Sequence, residues 1–252
     1  MQILRFFHTI YVILVFTILF LLIFPFFLLF SLNVKWHKWA YKLDHLWALI
    51  YFPLVFIKTQ IKYIGKQPGE GPVIYCANHF STIDIPSLAL LPKQACYVGK
   101  ASIKKVPLFG YMFKTLHITV NRSSLKDRGR AYKNYAEAIS QGKSLFIYPE
   151  GGISSRQIPK QSSYKDGAFR IAIEQKVPIV PITIPFNWQV LPDGEWLIKK
   201  YFIKLVVHEP IDTSGLTLKD LPVLKEKVYA IIQNQIDVEN NIVAQEQLVK
   251  AT

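Results

Sequence analysis

Acidic residues are scarce in the first half of this chain. Through residue 125 only Asp44, Glu70 and Asp84 carry a carboxylate, against thirteen Lys and Arg, and the 252 residues together have a formal net charge of +13. So positive a balance implies an anionic partner. The sequence has no helix-turn-helix, zinc-module or RNA-module signature, which argues against nucleic acid. Anionic lipid and phosphate- or carboxylate-bearing substrates account for the charge instead. Cysteine is limited to Cys76 and Cys96, too few for a disulfide framework. Both lie in apolar surroundings and read as core thiols facing the cytosolic compartment. The six histidines, His8, His37, His45, His79, His117 and His208, are scattered without the spacing of metal ligands. Internal repeats and low-complexity tracts are absent.

Charge is missing altogether between Arg5 and Lys35, and residues 10–32 are almost wholly apolar. A bilayer core of about 30 Å needs roughly 20 such residues in a helix. Secretory h-regions run roughly 7–15 residues and end in a small-residue cleavage site. This run is longer and has no such site, so it reads as a membrane anchor; Pro25 is placed to kink it or to make it re-entrant. The following stretch mixes Trp36, Trp39, Tyr41, Trp47 and Tyr51 with Lys35, Lys38 and Lys42, a composition suited to the headgroup layer. Lysines crowd the C-terminal side of the apolar run, which predicts that this side is cytoplasmic.

The turn-rich piece from Gln67 to Pro72 precedes short β-rich runs alternating with helical patterns, the signature of an α/β sheet. Strands are expected at 73–77, 96–99, 118–120, 144–148, 179–184 and 202–207. Helices are expected over 85–91, 108–115, 127–141, 165–174 and 218–234. The chain divides into a membrane anchor with an interfacial helix (1–56), an α/β domain with its own core (57–235) and a polar C-terminal tail (236–252).

The expected strand at 73–77 runs into Asn78-His79, and Asp84 follows five residues after the histidine. On a regular helix this spacing turns the two side chains away from each other. A bend from strand end to helix start lets them meet, the carboxylate fixing one ring nitrogen and leaving the other as a base. Alone, the spacing is a weak signal, and the pair reads rather as a helix cap and a hydrogen-bonded loop histidine.

Three further blocks change that reading: Gly99 to Arg122, the strand end Tyr148-Pro149-Glu150-Gly151, and Val177 to Ile184. With Asn78–Asp84 they resemble, in order and spacing, the four blocks of the glycerolipid acyltransferase family, over about residues 57–210. The resemblance implies a mixed sheet flanked by helices. It implies transfer of a fatty acyl group from an acyl thioester to the hydroxyl of lysophosphatidic acid, giving phosphatidic acid. The donor, acyl-CoA or acyl carrier protein, is then a co-substrate, and no cofactor or metal is implied. His79 would be the general base and Asp84 its orienting partner. Arg122 would bind the acceptor phosphate, since guanidinium grips oxyanions bidentately. Glu150 and Gly151 match the third block, the glutamate holding acceptor hydroxyls or pairing with Arg122. Lys100, Lys104 and Lys105 would add to a phosphate or donor site. The fourth block walls an acyl channel or belongs to the core. The family usually has Pro-Glu-Gly-Thr-Arg where this chain has Gly152-Ile153, so an arginine is missing at Ile153. Arg156 is the candidate replacement. The departure leaves open an acceptor other than lysophosphatidic acid, such as a lyso-aminolipid, and a non-catalytic membrane-binding protein on the same scaffold is a further alternative.

Overall fold

The computed structural model describes residues 2–92, 94–199 and 202–251, with 242–251 as backbone alone. An apolar helix α1 (Gln2–Ser31) leads into α2 (His37–Leu54), which folds back along it. The Asn33 side chain turns the chain between them by accepting from the Lys35 N–H at 2.9 Å. Next come β1 (Lys58–Tyr63), β2 (Ile74–Ala77), a short α3 (Asp84–Leu88), β3 (Ala95–Lys100), α4 (Phe109–Leu116) and β4 (Ile118–Val120). The second half adds α5 (Leu125–Ser140), β5 (Ser144–Ile147), α6 (Gly167–Gln175), β6 (Ile179–Thr183), α7 (Asn187–Val190), β7 (Phe202–Val207) and α8 (Leu221–Ala251).

The strands form one mixed sheet in the order β1-β7-β6-β2-β5-β3-β4, parallel everywhere except between β6 and β7. Pro181 marks that exception. Proline brings no N–H to a ladder, and β7 pairs with β6 only beyond it, through Ile182 and Thr183. Strand alternation separates two cores. Ile74, Cys76, Leu145 and Ile147 face α5, α6 and α8. Tyr75, Ala77, Phe146 and Tyr148 face the side covered by α2 and α3. The fully buried Phe169 and Ile171 fix α6 on the first face, each burial worth roughly 1.5–3 kcal/mol.

Three features depart from the sequence reading. β1 was not expected, because Lys58-Thr59-Gln60-Ile61-Lys62-Tyr63 has little apolar content; it is an exposed edge strand held chiefly by its ladder to β7, with Ile61 packed on the core. The polar tail at 236–252 is no separate segment. α8 runs through the boundary at 235, with Ile236 fully buried and Glu239 paired to Lys204 at 2.7 Å. Nor does the domain from residue 57 carry its core alone. α1 is tied to it along its length: Arg5 pairs with Glu195, Thr9 Oγ1 accepts from the Ile198 N–H, and the Phe20 ring packs on Phe109. Val12 and Phe27 of α1 are both 2% exposed.

Candidate active site

β2 and β5 are parallel neighbours, and their C-terminal ends carry the candidate residues, where α/β sheets place ligands. His79 lies two residues past β2, and the chain bends into α3 as the spacing demanded. The His79 Nδ1 donates to Asp84 Oδ2 at 2.9 Å. The same oxygen accepts from the Phe80 and Ser81 N–H groups at 2.8 and 2.9 Å. A fully buried carboxylate thus both closes the turn and fixes the imidazole, leaving Nε2 as the free ring nitrogen. Asn78 anchors the turn from below, its amide accepting from the Ile184 N–H and donating to the Ile184 carbonyl.

Glu150 lies beneath the histidine and is 3% exposed. Its Oε1 accepts from the His79 N–H at 2.8 Å, and its Oε2 accepts from the Ser162 N–H and hydroxyl, both at 2.9 Å. Burial raises its pKa, against the hydrogen bonds from Ser162 and His79. Both oxygens thus accept from the protein itself, and among the described residues no ion pair joins Glu150 to Arg122. The glutamate joins the ends of the two strands and sets the backbone of His79. Gly151 follows at φ +86°, a left-handed turn that favours glycine. A Cβ on the next residue, Gly152, would sit 3.4 Å from Arg122 Nη1.

The Tyr148 ring stacks on His79, centroids 4.0 Å apart and planes at 16°. Burial, with the nearby Asp84 charge, keeps its phenol far from ionising. Ser81 and Cys76 are poorly suited to act as nucleophiles. The Ser81 hydroxyl donates to the Leu191 carbonyl at 2.6 Å, and burial pushes the Cys76 thiol well up.

His79 and Tyr148 open onto a cavity of about 870 Å³ that Lys100, Lys105, Arg122, Gly151 and Ile153 also line. Arg122 has no acidic partner among the described residues, and partial desolvation lowers its pKa. Arg156 is exposed and lines neither this cavity nor its neighbours; Lys104 is also outside it. The proposed replacement for the missing arginine is thus not brought to the site. Thr82, Ile85, Tyr97 and Phe113 continue into an apolar groove of about 360 Å³, walled by Phe16, Phe20 and Ile23 of α1 and by Trp47 and Tyr51 of α2. The fourth block contributes nothing to that groove. β6 is wholly buried in mid-sheet and is core.

Sequence reasoning missed Tyr148, Ser162 and the groove-lining face of α1. Strand alternation could have pointed to Tyr148, two residues before Glu150. The Ser162 contact spans a loop of twelve residues and left no local signal. Among the described residues no group of three or more His, Cys, Asp or Glu is placed to hold a metal ion.

A base held by a buried carboxylate, beside a cationic cavity and an apolar groove, suits acyl transfer to an anionic lipid. The sequence independently shows the class: the family model described as Acyltransferase matches residues 58–185, and the chain belongs to that family. Among relatives, it is 31% identical over 199 residues to a chloroplastic 1-acyl-sn-glycerol-3-phosphate acyltransferase of Brassica napus, covering 77% of this chain and 56% of that protein. The enzyme of the same name from Haemophilus influenzae is 24% identical over 190 residues, covering 73% of this chain and 77% of the relative. The chain spans little more than half the length of the plant relatives it matches. Its fold is that of the 1-acyl-sn-glycerophosphate (LPA) acyltransferase of Thermotoga maritima, with a TM-score of 0.80, 21% identity, and coverage of 95% of this chain and 97% of that one.

Proposed function

We propose that this protein transfers a fatty acyl group from an acyl thioester to the free hydroxyl of lysophosphatidic acid, forming phosphatidic acid at a membrane surface. The observation that carries the reading is the His79–Asp84 pair, opening onto a cavity that holds the unpaired Arg122 and runs on into an apolar groove. The acceptor hydroxyl gives its proton to His79 Nε2 while its oxygen attacks the thioester carbonyl. Collapse of the tetrahedral adduct breaks the C–S bond, and the leaving thiolate takes the proton back from Nε2. Asp84 stabilises the imidazolium formed in between. The reaction needs no cofactor, the thioester being a co-substrate. The relatives' names support the acceptor. Ile153 at the cavity wall favours a second reading, in which the acceptor is an uncharged or zwitterionic lysolipid. Acyl transfer by membranes carrying the protein, measured over a panel of lysolipids with both donor types, decides between them.

Arg122→Ala should raise KM for lysophosphatidic acid ten- to a hundredfold. A charge-assisted hydrogen bond is worth about 1.5–3 kcal/mol, and 1.4 kcal/mol is about a decade. Steady-state kinetics with the acceptor varied at saturating donor would show it; an unchanged KM would remove the phosphate from this cavity.

We further infer that α1 lies along one leaflet, on the cytoplasmic side that the lysine asymmetry favours. It is long and apolar enough to cross a membrane, about 45 Å at 1.5 Å per residue. Yet the domain holds it from Arg5 to Phe27. Its outward stripe, Ile3, Phe7, Ile10, Leu14, Ile18, Leu21 and Leu29, is exposed at helical spacing and continues into Trp36 and Trp39. Replacing Leu14 and Leu21 together by lysine should move the protein from sedimented membranes to the supernatant while its thermal unfolding is little changed. Retention in the pellet through a carbonate wash would place the anchor elsewhere.

A further inference from the structure

A second polar cavity, of about 630 Å³, adjoins the first and shares Val98, Arg122, Tyr148 and Gly151 with it. It is built by α5, the start of α6 and α8, so it lies on the sheet face opposite the α1–α2 layer. Arg122, Arg128, Lys165, Arg170 and Lys225 line it, against the single acid Asp166. Two of these cations are occupied, Lys225 by Asp166 at 2.7 Å and Arg170 by Glu174 at 3.2 Å. Arg122, Arg128 and Lys165 have no acidic partner among the described residues. The rings of Tyr132 and Tyr135 form part of the wall.

We propose that this cavity binds the phosphate-bearing nucleotide of coenzyme A, which makes acyl-CoA the donor; the inference rests on the acyl-transfer reading above. The two substrates of that reaction approach from different phases. The lysolipid arrives through the α1–α2 layer, whose apolar groove reaches the site. The leaving group of the donor is water-soluble and belongs on the other face. Unpaired guanidinium and ammonium groups suit its phosphates, and tyrosine faces suit stacking with its base. The shared wall at Arg122 and Tyr148 puts the route from this cavity to His79 in the direction the pantetheine arm has to take. The arm of an acyl carrier protein has no adenine ring and no 3′-phosphate to meet the tyrosines and cations that line this cavity.

The test measures CoA and pantetheine binding to the full-length protein in detergent micelles, by calorimetry, for the wild type and for an Arg128→Ala/Lys165→Ala double variant. Both side chains are exposed, so the variant retains its fold, checked by thermal unfolding. Wild type should bind CoA far more tightly than pantetheine. In the variant the Kd for CoA and the KM for acyl-CoA should rise by about tenfold or more. The preference for acyl-CoA over acyl-pantetheine should fall by the same factor. Equal CoA affinity in both proteins, no wild-type preference for CoA over pantetheine, or turnover with a carrier-protein donor alone would each overturn the assignment. Affinity is read without turnover, so CoA binding through Arg128 and Lys165 in a protein that acylates no lysolipid would sink the acceptor reading and leave this one standing.

Discussion

His79→Ala should lower turnover by about 10²–10⁴, the usual contribution of a positioned general base. The protein should remain folded and membrane-bound. The imidazole is 8% exposed, and the hydrogen bond that Glu150 receives comes from the backbone N–H of residue 79, which alanine keeps. Loss of the ring leaves Tyr148 without its stacking partner and Asp84 with its two backbone donors. The change should therefore appear in kcat, with KM for the acceptor far less affected. Single-turnover measurements at saturating substrates would test it; near-normal turnover would leave the proposed mechanism without its base.

Asp84→Asn separates the charge of the carboxylate from its hydrogen bonds. All three donors, His79 Nδ1 and the Phe80 and Ser81 N–H groups, meet the one oxygen Oδ2, so an amide oxygen in its place keeps the turn into α3 and the histidine tautomer. The NH2 then takes the place of Oδ1, which has no hydrogen-bond partner. What is lost is the negative charge that stabilises the imidazolium. A fall in kcat within the range of about 10²–10⁴ that a positioned base contributes is expected. Asp84→Ala should also unfold more easily, because two buried N–H groups would lose their acceptor at about 1–3 kcal/mol each. Comparing the two variants by activity and thermal unfolding checks the argument. An asparagine variant with wild-type kcat would reduce Asp84 to a helix cap.

Much of this site is local in sequence and was legible there. His79 and Asp84 lie within one turn, and the strand before them made their contact possible, but the pair alone favoured a cap; the three other blocks were needed to mark it as a candidate site. The continuous apolar runs likewise mark the central strands, which are buried on both faces. Other features depend on distant partners. Glu150 as a brace under His79 needs β2 and β5 to be neighbours, a pairing that residues 71 apart do not announce. Arg156 stands three residues from Ile153, yet its loop directs it to solvent; proximity along the chain did not translate into proximity in space. β1 carries almost no apolar signal because an edge strand is held more by backbone bonds than by its side chains.

α1 has two working faces. One carries Phe16, Phe20 and Ile23 into the groove that adjoins the cavity of His79, and the other is a stripe of bare hydrocarbon. Whatever surrounds the protein therefore presses on one side of a single helix whose other side touches the site. On the proposed membrane reading, moving this protein from lipid to detergent is a change to a wall of its own apolar groove, made without altering a residue. Activity in micelles and in vesicles then describes two differently buttressed grooves, and a chain-length preference belongs to the protein together with the lipid it was measured in.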